Sequence, residues 1–377
     1  MIQSKRSNVN VLQLVSIAVS SNGSSRGVGG PEVRVLESLP FWDQDKVNVF
    51  VAYSSDGSLA SEMRKYPRWI DFSVSDKKRI STLIELVNII KKYNINVIHT
   101  QGPVYTDFIA TIAAKFCGIK NVVTRAVQIS DFTCGQFKKN LYLFMDYLTK
   151  NFCDSMIAIS KSGEECLYIE GCPKDKVSLV YNGSNEEKFI PDTLSSDRPF
   201  TIAMFAQMIP HKRHDLLIEA LDYSVKLGRD WRLMLVGDGP LRSGIEKQAV
   251  DLGCYDKISF LGFQRNTPLL YKKCDVVVLV SDREGLPVTL IEAMASGKPC
   301  VASNIAGTSE LIEHDVNGLL LDINNKESIY NSLAKLEDAV EQRLLMGEYG
   351  YQKFLSTFTI SKMVKGYQKA YVDLSKV

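Results

Sequence analysis

The sequence predicts an α/β protein made of two Rossmann-like domains, each a doubly wound parallel sheet, facing each other across a cleft. Three observations predict it. At 377 residues the chain is too long for one hydrophobic core and fits two domains of ordinary size. Short β-branched runs alternate with amphipathic segments in two separate series. Between the series lies Pro191-Asp192-Thr193-Leu194-Ser195-Ser196-Asp197-Arg198-Pro199, a polar, proline-bracketed stretch with the character of an interdomain linker.

In the first series Val9–Val19, Val47–Tyr53, Val97–Thr100, Val122–Thr124 and Met156–Ile159 read as buried parallel strands. Between them Ile80, Leu83, Ile84 and Val87, and then Ile109, Ile112, Ala113 and Phe116, recur at helical spacing. Lys5 and Arg6 ahead of the first run give it the look of a signal peptide, but Asn10 and Gln13 interrupt it and a glycine-rich loop follows, as suits a first strand. The second series runs Phe200–Phe205, Arg232–Val236, Ile258–Leu261, Val276–Val280 and Pro299–Ala302. The tail from about Tyr349 is helical and amphipathic through Phe358, Ile360, Met363, Val364 and Tyr367. The expected division is 1–192 and 193–356, with a final helix of about 357–377 packing back on the first domain. In doubly wound sheets ligands bind at the carboxyl ends of the strands, which places the expected site there.

Composition excludes several classes. Charged residues make up 23% and hydrophobic residues 45%, the balance of a soluble globular chain, and a formal net charge of +2 gives no field for nucleic acid. The eight cysteines are scattered without a C-x-x-C pair, as reduced thiols of a cytoplasmic protein are. No run approaches the roughly 18 apolar residues of a membrane span. Asp43-Gln44-Asp45 has the form of a metal-holding D-x-D but precedes a strand instead of following one, and His211 and His214 lack convergent ligands, so no metal is expected. Lys77-Lys78-Arg79 and Lys91-Lys92 flank one amphipathic helix, and read as a solvated face or a dock for anionic lipid.

Chemistry concentrates in Glu284-Gly285-Leu286-Pro287-Val288-Thr289-Leu290-Ile291-Glu292, which continues through Ala293-Met294-Ala295-Ser296-Gly297-Lys298-Pro299. Glu284 falls in the loop after a strand, and a helix beginning near Pro287 offers unpaired N–H groups and the positive end of its dipole, a seat for a diphosphate. Carboxylates such as Glu284 and Glu292 accept paired hydrogen bonds from sugar hydroxyls. Lys212 stands between an apolar strand and a helix expected at Asp215–Leu221, where a fixed cation stabilises a leaving phosphate. The loop Gly23–Gly30, ending Arg26-Gly27-Val28-Gly29-Gly30, lets backbone approach a ligand closely but lacks the G-x-G-x-x-G spacing of dinucleotide oxidoreductases.

On these residues the chain resembles glycosyltransferase family 4, the large retaining family of GT-B fold. The segment from Glu284 to Glu292 is similar to its E-x7-E signature. Gly237-Asp238-Gly239-Pro240 resembles its G-x-G-P turn, and Phe260-Leu261-Gly262-Phe263 resembles the loop that meets the donor base. Tyr271, Cys274-Asp275, Glu310-Leu311-Ile312, Asn317-Gly318-Leu319-Leu320, Ala158-Ile159-Ser160-Lys161-Ser162, Tyr181-Asn182-Gly183 and Phe189-Ile190-Pro191 continue the series. The resemblance implies Glu284 on hydroxyls of the transferred sugar, Glu292 on the ribose and Lys212 on the leaving diphosphate. It also implies donor contacts from Gly29, Gly30, Gly237, Gly262, Phe263, Gly285, Leu286 and Pro287 and from the backbone of Val288 and Thr289.

Two positions depart from the pattern. Gln207 stands where the family usually carries an arginine, and Ala126 where many members carry a histidine. Arg125 is therefore a candidate cation toward donor or acceptor, and His99, at a strand end, a candidate acceptor contact. The expected activity is metal-independent transfer of a sugar from a nucleotide-sugar donor, by default a UDP-sugar, to a glycan or lipid-linked acceptor. Neither a cofactor nor nucleic acid is expected; peripheral contact with the inner face of the membrane is. Gln207 and Ala126 keep two alternatives open, a weakly catalytic donor-binding subunit and a sugar-nucleotide epimerase.

Overall fold

The computed structural model describes residues 8–15, 30–53, 59–72, 79–125, 135–191, 198–322 and 326–376. Gly29, Ala126, Cys134, Lys77, Lys78 and residues 192–197 of the expected linker lie outside the described residues. The chain forms two compact units: Met1–Asn182 together with Ile360–Val377, and Gly183–Thr359.

The first unit is built on seven parallel strands: β1 (Val9–Leu14), β2 (Val47–Tyr53), β3 (Trp69–Asp71), β4 (Val97–Thr100), β5 (Lys120–Arg125), β6 (Ser155–Ala158) and β7 (Val177–Leu179). Their order is β3-β2-β1-β4-β5-β6-β7, the reversal at β1 and β4 being the switch point of a doubly wound sheet. β1, β4 and β6 are buried almost throughout, which is why they read as continuous apolar runs. β3 and β7, three residues each on the sheet edges, carry no such run and are not foreshadowed by the hydrophobic pattern.

Helices cover both faces. On one, Val35, Trp42, Met363, Val364, Tyr367 and Tyr371 join the cluster against β1 and β2, so the helix Ile360–Leu374 completes this unit's core. On the other, Leu86, Ile90, Ile109, Ala113 and Met145 pack from the helices Arg79–Lys92, Val104–Cys117 and Gln136–Phe152. The inward stripes differ from the expected ones in part. Val87, Ile109 and Ala113 are buried, whereas Ile80, Ile84, Ile112 and Phe116 face outward.

The second unit is a six-stranded parallel sheet of β8 (Thr201–Phe205), β9 (Arg232–Val236), β10 (Ile258–Gly262), β11 (Val276–Leu279), β12 (Cys300–Ser303) and β13 (Gly318–Leu321), ordered β10-β9-β8-β11-β12-β13. Its switch point falls between β8 and β11. The tail is not one helix. Val340–Lys353 belongs to this unit, a wide turn at Phe354–Phe358 and the extended Thr359 end it, and Ile360–Leu374 continues in the first unit. The boundaries fall at 183 and 360, not 193 and 357. Phe189 sets its ring edge-on to Tyr271 at 5.6 Å, and Ser184 takes the carbonyl of Phe358 at 3.0 Å, holding residues 183–191 to the second unit. The described residues contain seven cysteines, all free thiols.

Candidate functional site

At the carboxyl edge of the second sheet the strand-end loops are stitched together by backbone. The chain leaving β8 donates from Ala206 N to Val236 O and from Met208 N to Asp238 O, both at 3.0 Å, and Leu241 N returns to Met208 O at 3.1 Å. Glycine is required for this approach. A Cβ on Gly237, whose φ is +143°, would lie 2.0 Å from the carbonyl oxygen of Ala206, and one on Gly239 would lie 2.5 Å from that of Met208. Gly237 N also donates to Gly262 O at 2.8 Å, tying in the end of β10, where Gly262 has φ +64°. Phe263 follows with its ring about half exposed.

After β8 the short turn Pro210–Lys212 leads through Arg213, held at φ +38°, into the helix His214–Lys226. The loop after β11 is fastened to this turn by Asp282 N donating to His211 O at 2.9 Å, and Arg213 spans Asp215 at 3.0 Å and Asp282 at 3.4 Å. These ties bring the Lys212 ammonium onto the Glu284 carboxylate, an ion pair whose side chains remain 17% and 10% exposed. Gln207, the residue standing in place of an arginine, is exposed.

The loop carrying Glu284 has a seat that the sequence did not announce. A Cβ on Gly307 would fall 2.5 Å from Gly285 O and 2.6 Å from Glu284 O, so this backbone lies directly on Gly307. Thr308, fully buried, locks the turn beneath by donating to Ser303 O and accepting from Ile305 N at 3.2 Å. Leu286 is buried as an anchor, and Pro287 (φ −71°, ψ 112°) caps the helix Val288–Ala295. That helix makes its first backbone bonds from Leu290 and Ile291 to Pro287 O, so the N–H groups of Val288 and Thr289 lie ahead of the ladder.

Glu292, one turn further on, receives the Tyr271 hydroxyl on Oε2 at 2.8 Å; the same hydroxyl lies 3.1 Å from Thr289 O. Tyr271 is fully buried and stacked on Phe205 at 3.9 Å. Its acidity is weakened far beyond the usual phenol, first by burial and then by the Glu292 charge, so it remains a donor. Its role was missed, although a tyrosine in the apolar run Leu269-Leu270-Tyr271 signals a hydroxyl that needs a partner. An ammonium, two carboxylates and a helix start are thus assembled within one unit. Such a set suits an anion flanked by hydroxyls.

The first unit treats its candidates differently. His99 is buried, with Nδ1 2.5 Å from the Tyr371 hydroxyl and Nε2 2.7 Å from the Thr124 hydroxyl. Burial pulls its pKa down to about 3. The expected acceptor contact is therefore corrected: both ring nitrogens are used inside the fold, and the ring packs on Tyr367 and Tyr371. Arg125 lies 2.5 Å from Asp146 and 3.7 Å from Asp107, so its cation serves two buried carboxylates and is not held out for a ligand. Burial pushes the Asp107 carboxyl up to about 7 in spite of that arginine. Gly30 opens the helix Gly30–Ser38, and Gly29 lies outside the described residues. Among the described residues no group of three or more His, Cys, Asp or Glu side chains could hold a metal ion, and no helix is long and apolar enough to cross a membrane.

Comparison with known proteins fits this geometry. The family model described as "Glycosyltransferase Family 4" matches residues 28–188, and that of "Glycosyl transferases group 1" matches residues 185–353. The chain is 26% identical over 320 residues to the Escherichia coli UDP-Gal:alpha-D-GlcNAc-diphosphoundecaprenol alpha-1,3-galactosyltransferase, covering 80% of this chain and 81% of that one. Among solved structures it resembles Anabaena HepE in complex with UDP and glucose, with a TM-score of 0.81 and 20% identity over 96% of this chain and 99% of that one. A glycosyltransferase from Rickettsia africae gives a TM-score of 0.80 at 22% identity over 98% and 99%. With two doubly wound units, matches to both families that together run from residue 28 to 353, and relatives of nearly equal length, the chain is a glycosyltransferase of GT-B fold that transfers a sugar from a nucleoside-diphosphate sugar to an acceptor.

Proposed function

We propose that the donor is a UDP-sugar, that the anomeric configuration is retained, and that the acceptor is a lipid-linked glycan intermediate of surface-polysaccharide assembly at the inner face of a membrane. The observation that carries the donor site is the Lys212–Glu284 pair, fixed at the sheet's carboxyl edge in the unit that also holds the open start of the helix Val288–Ala295. The UDP-bound Anabaena structure supports the nucleotide, and the name of the E. coli relative supports both UDP and a diphospholipid acceptor.

In this reading the diphosphate draws Lys212 from Glu284 and lies against the N–H groups of Val288 and Thr289. Glu284 then accepts from hydroxyls of the transferred sugar. Tyr271 aims Glu292 at the ribose, and the base rests near Gly262 and Phe263, with Gly237 holding that loop. As the bond from the anomeric carbon to the phosphate oxygen breaks, negative charge grows on the diphosphate, and Lys212 and the helix dipole stabilise it. The acceptor hydroxyl attacks from the face the diphosphate leaves, and its proton passes to the departing phosphate oxygen. Gln207 adds a hydrogen-bond donor without charge, which concentrates the cationic work on Lys212.

The test is a thermal-shift panel of UDP-, GDP- and ADP-sugars, since a ligand that binds the folded chain raises its melting temperature. UDP-sugars raise it for the wild type and much less for Lys212→Ala and Glu284→Ala; equal shifts in the variants refute the site. The exposed, uncharged Gln207 favours one alternative, a donor-binding subunit with little turnover. Binding without release of UDP, even with crude lipid acceptor, would establish it.

A further inference from the structure

The helices Arg79–Lys92, Val104–Cys117 and Gln136–Phe152 lie side by side on one face of the first sheet. Their inner stripes fill the core, so their outer stripes should be polar. They are not. Phe137 is 86% exposed, Phe116 74%, Tyr147 63% and Phe144 58%. On the third helix Phe137, Phe144 and Leu148 follow one another at helical spacing. Between the second and third helices runs an apolar groove of about 490 Å³, lined by Phe108, Ile112, Phe116, Leu148 and Phe152, with Lys115 at its margin.

The charges around this surface are mostly of one sign. The third helix exposes Lys138, whose ammonium lies 5.5 Å over the Tyr142 ring, and leaves Lys139 half-buried beside it, while its one acid, Asp146, is buried between Arg125 and Lys150. The second helix exposes Lys115, which leans toward Asp154 at 3.6 Å, and its acid, Asp107, is buried. On the first helix Ile80 and Ile84 are exposed as well, and Glu85, Lys91 and Lys92 are its exposed charges. Aromatic rings bordered by lysines are the composition of a helix lying in a lipid headgroup layer. A second copy of the chain fits less well, because a two-fold contact sets the same patch against itself and brings lysines against lysines.

We propose that this three-helix face docks on a bilayer containing anionic phospholipid, the rings of Phe116, Phe137 and Phe144 entering the headgroup–acyl boundary and Lys138 and Lys139 meeting headgroup phosphates. It rests on the reading of a lipid-linked acceptor and names the surface that would bring the enzyme to it. The experiment is flotation of the full chain with phosphatidylcholine vesicles and with mixed phosphatidylcholine–phosphatidylglycerol vesicles, in the absence of donor and acceptor. The chain floats with the mixed vesicles, less so as salt rises. Phe137→Ser/Phe144→Ser and Lys138→Glu/Lys139→Glu each weaken that binding by about tenfold or more. Both variants keep the thermal shift with a UDP-sugar, which shows that they are folded and leaves the donor site out of the result.

Failure of the wild type to float with the mixed vesicles overturns the proposal, as does undiminished binding by the variants. A lipid-free dimer that the phenylalanine variant dissociates, with vesicles ignored, assigns the face to a second copy instead. Vesicle binding without any UDP-sugar shift would sink the donor reading and leave this surface standing.

Discussion

The two units place ionisable side chains at comparable points of comparable sheets and put them to opposite uses. In the first, His99 and Arg125 sit within the last two residues of β4 and β5, and each is consumed by partners inside the fold. In the second, Lys212 and Glu284 stand beyond the ends of β8 and β11, on loops that backbone bonds and glycine contacts hold in place, and they meet as a pair that keeps some solvent access. A side chain within a strand of a doubly wound sheet points into a helix layer, whereas one past the edge is free of it. Being at a strand end is therefore a weaker sign of an accessible side chain than being just past one.

The largest effect expected from this contrast is that removing either cation harms the protein by a different route. Lys212→Ala should lower kcat by about 10²–10³-fold, the loss typical of one preorganised group facing a developing anion, with little change in melting temperature. Arg125→Ala should do the reverse. It leaves Asp146 with Lys150 as its remaining counter-charge and takes the Arg125 cation from the buried Asp107, a loss on the order of 3 kcal/mol in stability at about pH 8, where Asp107 is ionised, with the remaining folded enzyme turning over normally at low temperature. Steady-state kinetics beside urea denaturation separate the two; a normal fold and a dead enzyme in Arg125→Ala would break the comparison.

Next in size is Tyr271→Phe. The stack on Phe205 is kept and only the hydroxyl facing Glu292 is lost, so the fold should hold. A hydrogen bond to a charged group contributes about 1.5–3 kcal/mol, which predicts a donor KM raised by roughly tenfold or more with a smaller change in kcat. An unchanged KM would remove Glu292 from the donor site.

His99→Ala sharpens the other side. It removes the ring that joins the Tyr371 and Thr124 hydroxyls and leaves Tyr371 only the long 3.4 Å contact from Gln13 Nε2, at about 1–3 kcal/mol for the poorly satisfied group, and lowers the melting temperature by several degrees. The thermal shift given by a UDP-sugar should be the same as in the wild type. A stable variant that no longer uses its acceptor would restore His99 to the active site.

These residues also show what the sequence could and could not reveal. The buried strands were legible, even at four residues, because parallel strands covered on both faces must be apolar throughout; the edge strands β3 and β7, three residues each and only partly buried, carry no such run. The placement of Glu284 and Lys212 past strand ends, and of a helix start after Pro287, was legible because it is written in local order. The fate of His99 was not, since the tyrosine that takes its Nδ1 lies 272 residues away. Gly307 was hidden in the same way, because only the folded chain lays Glu284 and Gly285 across it. Ile112 and Phe116 share the helical spacing of Ile109 and Ala113 yet face outward, since periodicity reports that a helix is two-faced without saying what covers the second face.

The finest test of the comparison is the slope of stability against pH between about 4.5 and 6. Burial lowers His99 to about 3 and His214 to about 4, from an ordinary value of 6.5. In this window the unfolded chain protonates both imidazoles and the folded chain neither, so their contribution is complete above pH 6.5 and is lost as pH falls toward 4 and then 3. Asp107, raised to about 7 from 3.8, acts oppositely: the folded chain keeps its proton while the unfolded chain has released it, and its contribution is lost as pH rises through 7. Each such group changes the slope by about 1.4 kcal/mol per pH unit. His99→Asn should therefore flatten the urea-derived stability profile by about that amount relative to wild type, and Asp107→Asn should steepen it by the same. Parallel profiles for all three proteins would mean that these two groups are hydrated in solution, and that the first unit's strand ends are as open as the second unit's loops.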